Sequence, residues 1–334
     1  MLIKVEHLVK DYQVHKNGKG FLQAVKNLVM PEYLKKRAVD DISFSIQPGE
    51  MVGFIGPNGA GKSTTVKILS GVLSPTSGRV TVGDMDPFRN RKKYVSHIGV
   101  VFGQRTQLWW DLPVEDTFDL LKAIYKIPDA TFRKNLNIYR ELLDLDDFMS
   151  RPVRQLSLGQ RMRADIAASL LHDPEILFFD EPTIGLDIVA KEKIRECIKA
   201  MNRDKGITML FTTHDMQDIE KTCERMIVID RGKIICDSAL TEIRSLYDHE
   251  RRLTVKFAES YPSIHVAKAQ IVHEEGNSKT FSFHTHEITT SELISSLMSE
   301  YVVMDLTVQE TDIETIIKKL YEEGEGVQAY EGVS

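Results

Sequence analysis

A glycine-rich segment in the first third of the chain places a lysine and a hydroxyl where they could bind a triphosphate. The segment reads Gly56, Pro57, Asn58, Gly59, Ala60, Gly61, Lys62 and Ser63, with Thr64 directly after it. It matches G-x-x-x-x-G-K-[ST], in which backbone N–H groups surround a β-phosphate and the following helix directs its positive end at the anion. We expect Lys62 to reach the β- and γ-phosphates and the Ser63 hydroxyl to bind Mg²⁺. An apolar run before the segment and a helical stretch after it favour this P-loop over a chance glycine turn, so the sequence predicts binding of ATP with Mg²⁺.

Two adjacent acids, Asp180 and Glu181, end an apolar run at residues 176–179. Ligands bind at the carboxyl ends of the strands in open α/β sheets. We expect Asp180 to hold Mg²⁺ through water, and Glu181 to orient or deprotonate the water that attacks the γ-phosphate. The same pattern also occurs where a core strand meets solvent, but the P-loop earlier in the chain favours ATP hydrolysis.

Apolar runs alternate with helical patterns between residues 51 and 229. This alternation predicts an α/β fold with a mostly parallel sheet covered by helices. Ser157 stands where an N-cap would open a helix to about Leu171. The predicted strands lie at 2–9, 42–46, 51–55, 79–82, 98–102, 176–179, 206–211 and 226–229. The predicted helices lie at 62–70, 157–171 and 191–202, and residues 114–150 are rich in helical patterns.

The sequence pattern changes near Tyr247, beyond which the glycine turns disappear. Strand patterns follow at 253–257, 269–273, 280–284 and 304–308, and helical patterns follow at 291–300 and 313–322. We therefore predict an ATP-binding domain at 1–247 and a small C-terminal α+β domain at 248–334, with a frayed tail from Gly324.

The composition disfavours several classes of protein. The 334 residues carry a net charge of -6, which argues against a nucleic-acid-binding surface. Three cysteines without C-x-x-C spacing argue against a disulfide framework and for a reducing compartment. No run approaches the ~18 consecutive apolar residues of a membrane-spanning helix, and the N-terminus lacks the apolar region of a signal peptide. We expect a cytoplasmic protein, so any membrane-embedded parts of its system must be other chains.

One further segment resembles the ABC signature, usually LSGGQ, and consists of Leu156, Ser157, Leu158, Gly159 and Gln160. Other elements of the ABC family follow in the family's order along the chain. Tyr12 resembles the A-loop aromatic that stacks on adenine, and Gln104 resembles the Q-loop glutamine. Asp187 resembles the D-loop aspartate, and His214 resembles the switch histidine. The resemblance covers residues 1 to about 240, and it is to the ATP-hydrolysing subunits of ABC transporters.

This resemblance implies an N-terminal antiparallel β subdomain and a helical subdomain at about 105–170 beside the P-loop core. It implies that Gln104 contacts Mg²⁺ and the attacking water, and that His214 contacts the γ-phosphate. Two such chains, identical or different, would enclose two ATP molecules, with signature residues 157–160 of one protomer facing the ATP of the other. Leu158 departs from the family, where glycine is usual, which puts the hydrolysis rate in question rather than ATP binding.

The stretches at 178–183 and 312–320 look like those of ABC-2 type exporter ATPases. This likeness implies export of a small molecule or drug through a separate ABC-2 permease, with this chain peripheral on the inner face of the cell membrane. Trp109 and Trp110 follow the Q-loop, where the family receives a permease helix, although packing inside the helical subdomain is the alternative. A basic stretch at 15–37 with helical spacing could face lipid headgroups or be a solvated excursion.

Two other classes of function fit the sequence less well than transport. A soluble ABC ATPase acting on a nucleic acid or ribosomal partner would carry two ABC domains or long coiled coils, whereas this chain has one P-loop and no sustained heptads. A catalytically idle regulatory domain is disfavoured because Lys62, Asp180 and Glu181 are all present. His284 and His286 could form a metal pair, but no third ligand is apparent, and solvent-facing histidines are the simpler interpretation.

Overall fold

The computed structural model of the protein describes residues 2–15, 33–103, 105–247, 250–310 and 313–323. Gln104, most of the basic stretch predicted at 15–37 and the tail from Gly324 lie outside these residues. Over the described residues the chain divides into two compact units, the first ending at Asp237 and the second beginning at Ser238.

The strands up to residue 239 form two sheets. They are β1 (Ile3–His15), β2 (Tyr33–Ile46), β3 (Met51–Ile55), β4 (Ser77–Val82), β5 (Ile98–Phe102), β6 (Ile176–Asp180), β7 (Thr208–Thr213), β8 (Arg225–Asp230) and β9 (Lys233–Ala239). The larger sheet has the order β5-β6-β7-β3-β8-β9, and its strands from β5 to β8 run parallel. This sheet confirms the predicted mostly parallel α/β core. The sequence pattern missed β9 because this edge strand is half-exposed and has no continuous apolar run.

The smaller sheet is antiparallel, with the order β2-β1-β4, and confirms the implied N-terminal β subdomain. Its strands are longer than the sequence pattern predicted, because β1 extends to His15 and β2 begins at Tyr33. Polar cross-strand pairs support the extension. Asp11 binds Lys35 Nζ at 2.8 Å and Arg37 Nε at 2.9 Å, and its side chain is only 6% exposed.

Helices of the first unit pack against the larger sheet, and those between residues 114 and 170 lie within the helical subdomain that the resemblance implied at about 105–170. They are α1 (Lys62–Leu69), α2 (Arg91–Tyr94), α3 (Val114–Tyr125), α4 (Asp129–Leu142), α5 (Leu158–Leu170), α6 (Ile188–Lys205) and α7 (Met216–Thr222). Helix α6 is longer than the predicted 191–202 because it is capped at both ends. Asp187 Oδ1 accepts the Ala190 N–H at 2.8 Å, and Gly206 takes the left-handed conformation, with a φ of 64°, after the last turn.

The second unit is an antiparallel sheet with helices, as the sequence predicted. Its elements are α8 (Leu240–Tyr247), β10 (Glu250–Phe257), β11 (Ala269–Glu275), β12 (Ser278–His284), α9 (Thr290–Glu300), β13 (Val303–Glu310) and α10 (Ile313–Glu323). The strand order is β11-β12-β10-β13, and Phe257, Phe281 and Phe283 form the centre of its core. The division at Asp237 precedes the boundary predicted at 247 because α8 packs against α10 within this unit.

Substitution of Phe281 by alanine tests how much this buried side chain stabilises the core of the second unit. Phe281 is fully buried, so its removal leaves a cavity, and we expect the unfolding free energy of the second unit to fall by about 3–5 kcal/mol. Differential scanning calorimetry would show this as a downward shift of one transition. Val272→Ala, at a residue that is 52% exposed, serves as the control and should shift it little. Equal effects of the two substitutions would contradict the buried position of Phe281.

Candidate active site

The P-loop connects the end of β3 to the first residue of α1, as the sequence predicted. Two of its glycines leave no room for a side chain. A Cβ added at Gly56 would lie 2.3 Å from the Ile229 carbonyl oxygen, and one at Gly61 would lie 2.6 Å from the Ala38 carbonyl oxygen. Gly61 also has a φ of 113°, which side chains disfavour. The close packing therefore explains why the turn needs glycine at both positions.

Lys62 lies inside this turn rather than in solvent. Its side chain is buried, and Nζ donates to the Gly56 carbonyl at 2.5 Å and to the Pro57 carbonyl at 3.2 Å. Burial lowers the pKa of Lys62 below its usual value, and the nearby carboxylates of Glu181 and Asp180 oppose that shift. The loop thus holds a desolvated ammonium group close to the two acids at the sheet edge.

Asp180 joins the P-loop helix to the sheet through two hydroxyl groups. Ser63 Oγ donates to Asp180 Oδ1 at 2.8 Å, and Thr212 Oγ1 donates to the same oxygen at 2.9 Å. Two of the three predicted metal-binding residues, Ser63 and Asp180, therefore lie within hydrogen-bond distance of each other. Sequence reasoning missed Thr212, because its proximity to Asp180 depends on the pairing of β7 with β6.

The chemistry of this cluster fits Mg²⁺, which prefers oxygen ligands and keeps several water or phosphate oxygens. Ser63 and Asp180 supply only oxygen atoms. Within the ranges that the structure describes, no group of three or more His, Cys, Asp or Glu side chains could hold a metal ion by itself. The His284 and His286 rings lie 5.4 Å apart on the second unit.

Glu181 and His214 come together at the same edge of the sheet. His214 Nδ1 lies 3.7 Å from Glu181 Oε2, and their side chains are 57% and 16% exposed. Glu181 has a φ of 55°, and its N–H donates to the Thr212 carbonyl at 3.0 Å. Gly103 packs against it so closely that an added Cβ would lie 1.9 Å from the Glu181 carbonyl oxygen. The sequence reading missed this requirement for glycine next to Gln104.

A cavity of about 500 Å³ unites these side chains. Its lining includes Ser63, Asp180, Glu181 and His214, together with Lys67, Arg105 and Ile184, which the sequence did not single out. Tyr12 lies beside α1, where its hydroxyl is 3.5 Å from Thr64 Oγ1, and 36% of the residue is exposed. The stacking of Tyr12 on adenine stays a prediction.

The signature segment forms a separate surface, since none of its residues lines this cavity. Ser157 Oγ accepts the Gln160 N–H at 3.2 Å, and Gln160 Oε1 accepts the Ser157 N–H at 3.0 Å, so the pair forms a capping box at the start of α5. Leu158 packs against Gly185: a Cβ added at Gly185 would lie 3.2 Å from the Cδ2 of Leu158. A Cβ added at Gly159 would lie 3.1 Å from the Cβ of Ala190. The signature segment is therefore in contact with the turn around Asp187.

Asp165, on α5, fastens the segment after Gln104 to the signature helix. Its Oδ1 accepts from Thr106 Oγ1 at 2.9 Å and from the Gln107 N–H at 3.0 Å. Burial raises the pKa of Asp165 to about 7, against the opposing effect of these hydrogen bonds and of the Arg161 charge. The segment continues into the exposed Trp109 and Trp110, and the Arg161 guanidinium lies 5.5 Å from the Trp110 ring.

Comparisons with known proteins agree with this geometry. Residues 39–184 match the family described as ABC transporter. The chain is 34% identical over 215 residues to the ABC transporter ATP-binding protein NatA of Bacillus subtilis (strain 168), which covers 64% of this chain and 86% of NatA. It is 31% identical over 296 residues to the linearmycin resistance ATP-binding protein LnrL of the same organism, which covers 86% of this chain and 94% of LnrL.

A solved structure extends the comparison to the fold. The dimeric post-hydrolysis structure of the ATP-binding cassette MJ0796, bound to ADP and Pi, superposes with a TM-score of 0.59 at 27% identity. It covers 71% of this chain and 98% of the cassette. In the part of the chain that the structure describes, none of the helices has both the length and the hydrophobicity of a membrane span.

Substitution of Asp165 by asparagine should alter how stability depends on pH. An acid whose pKa is raised on folding, here from about 4 to about 7, stabilises the fold at low pH, and this stability is lost as the pH rises through that window. The unfolding free energy of the asparagine variant relative to the native protein should therefore increase by up to about 1.4 kcal/mol per pH unit across it. Urea unfolding at several pH values measures the difference, with the exposed Asp119→Asn as the control. A difference independent of pH would contradict the raised pKa.

Proposed function

This chain belongs to the family of ABC transporter ATP-binding proteins, and we propose that it powers export of a small molecule or drug through a separate ABC-2 permease. It binds and hydrolyses ATP, as the family match and the solved cassette indicate. The observation that carries the export proposal is the similarity to LnrL, a resistance protein. That similarity covers 86% of this chain and therefore extends past Asp237 into the second unit.

We propose that the cavity residues divide the chemistry of hydrolysis among them. Lys62 and the P-loop backbone bind the phosphates, and Ser63 and Asp180 hold Mg²⁺, which when bound neutralises phosphate charge. Glu181 orients the attacking water and accepts its proton. His214, whose imidazole lies 3.7 Å from Glu181, contacts the γ-phosphate. Gln104 is proposed to join this site, although it lies outside the described residues.

The signature surface suits a second copy of the chain. Ile188 and Val189, next to Asp187, are 82% and 80% exposed, which is unusual for two adjacent apolar residues. We propose that a homodimer covers them and that Ser157, Gly159 and Gln160 then face the ATP of the partner subunit. Leu158, which stands where the family usually has glycine, packs against Gly185. Its side chain would therefore also lie in this interface.

Trp109 and Trp110 are the proposed contact with the permease. They are 41% and 50% exposed and follow Leu108, which is buried. Aromatic side chains of this kind often dominate interface energetics. Through this contact the chain would be held at the inner face of the cell membrane.

Replacement of Glu181 by glutamine tests the hydrolytic role directly. Loss of the carboxylate removes the proposed base, so we expect hydrolysis to fall by about 10²-fold or more while ATP binding persists. Nucleotide titration and phosphate release measure the two effects, and size-exclusion chromatography with ATP should show more dimer. Glu224→Gln, at an exposed acid of the same unit, is the matched control. Unchanged hydrolysis in the Glu181 variant would refute this role.

Alanine at both Trp109 and Trp110 tests the permease contact. If these side chains anchor the complex, affinity for the permease should fall by about 2 kcal/mol, or roughly thirtyfold. The affinity can be measured by immobilising the native and variant chains and titrating each with the detergent-solubilised multi-spanning membrane protein. Phe88→Ala removes an aromatic of similar exposure, 39%, and should leave capture unchanged. Equal capture by all three proteins would exclude the tryptophans as anchors.

A further inference from the structure

The first unit contains a buried ion pair that the proposed mechanism does not use. It lies next to the segments that carry Glu181 and His214. Asp218, on α7, has no exposed side-chain surface, and Arg195, on α6, is 5% exposed. Arg195 Nε donates to Asp218 Oδ1 at 2.7 Å, and its Nη2 contacts the same oxygen. A buried pair of this kind gives little net stability compared with apolar packing, so its presence calls for another reason.

The second carboxylate oxygen of Asp218 binds the segments that carry the reactive side chains. Thr183 Oγ1 donates to Asp218 Oδ2, and Thr213 Oγ1 donates to the same oxygen at 3.2 Å. Both threonines are buried. Thr183 follows Glu181 by two residues, and Thr213 directly precedes His214. With four donors on two oxygens, the hydrogen-bonding capacity of the carboxylate is used fully.

A second ion pair holds the other side of His214 to the same helix. Lys191 Nζ, on α6, binds Asp215 Oδ2 at 2.6 Å, and the Asp215 N–H donates to Thr213 Oγ1 at 3.0 Å. Helix α6 begins directly after Asp187, at the proposed dimer surface. The same helix carries Lys191 and Arg195, whose partners Asp215 and Asp218 hydrogen-bond to Thr213 beside His214.

We propose that Asp218, held by Arg195, is a positioning residue that sets the placement of Glu181 relative to His214. This inference rests on the proposed function, in which those two side chains act on the attacking water and the γ-phosphate. The hydroxyls of Thr183 and Thr213 are the connections through which Asp218 acts. Loss of either hydroxyl loosens one of the two reactive segments and leaves the P-loop untouched.

Valine and serine at the two threonines separate hydrogen bonding from packing. Thr183→Val and Thr213→Val keep the shape of the side chain and remove the hydroxyl, whereas Thr183→Ser and Thr213→Ser keep the hydroxyl. We expect each valine variant to lower kcat about tenfold or more, with KM for MgATP changed less than about twofold. Each serine variant should restore most of kcat. A role in stability alone would not produce this pattern.

Arg225→Lys is the control for an ion pair away from the cavity, because Arg225, like Arg195, donates hydrogen bonds to carboxylates of the first unit. Its Nε lies 2.6 Å from Asp237 and its Nη1 lies 2.8 Å from Glu50, and none of the three residues lines the cavity. This variant should lower the melting temperature but leave kcat unchanged when all proteins are assayed well below their melting temperatures. The two threonine sites are tested separately, so that misfolding at one still leaves the other as a test.

The inference is overturned if the valine variants keep kcat within about twofold of the native protein, or if the serine variants are as slow as the valine variants. Failure of the proposed function would look different. In that case the native protein would not hydrolyse MgATP, or Glu181→Gln would hydrolyse it at the native rate. Native hydrolysis that depends on Glu181 but not on the two hydroxyls would reject the positioning role alone.

Discussion

Asp180 Oδ1 accepts hydrogen bonds from two hydroxyls that belong to different elements of the fold, Ser63 at the start of α1 and Thr212 near the end of β7. This shared oxygen depends on the parallel register in which Asp180 lies opposite Thr212. A shift of one residue would turn the side chain to the other face of the sheet, and the P-loop hydroxyl would lose its partner. The arrangement of the cavity therefore follows from the pairing of β6 with β7 and from the glycines that let α1 begin beside them.

The described chain contains two separate sets of family residues. One set lines the cavity around Asp180, and the other lies at the start of α5 and around Asp187. Within one chain the second set contacts itself, since Leu158 meets Gly185 and Gly159 meets Ala190. An arrangement of this kind agrees with the proposed dimer, in which each cavity is completed by the signature of the other copy.

Buried polar groups connect these two sets to the rest of the first unit. Asp165 ties the segment after Gln104 to the signature helix, and Asp218 ties the segments around Glu181 and His214 to α6. Each such group loses its hydration on burial, and hydrogen bonds compensate only when the geometry is well defined. Networks of this type restrict the relative movement of the elements they join, which a purely apolar core does less specifically.

The sequence by itself determined the class of fold, the P-loop, the two acids and the order of the family elements, because each depends on local residue types and spacing. The ends of α6 at Asp187 and Gly206 depend on local capping residues, although the helical pattern predicted only 191–202. The tertiary structure alone decided the roles of Thr212, Gly103, Arg195 and Asp218. Their significance lies in contacts between residues far apart in the chain, and a buried threonine or ion pair has no distinctive local pattern. The extension of β1 and β2 was decided in the same way, by cross-strand ion pairs to Asp11 that no periodicity within either strand reveals.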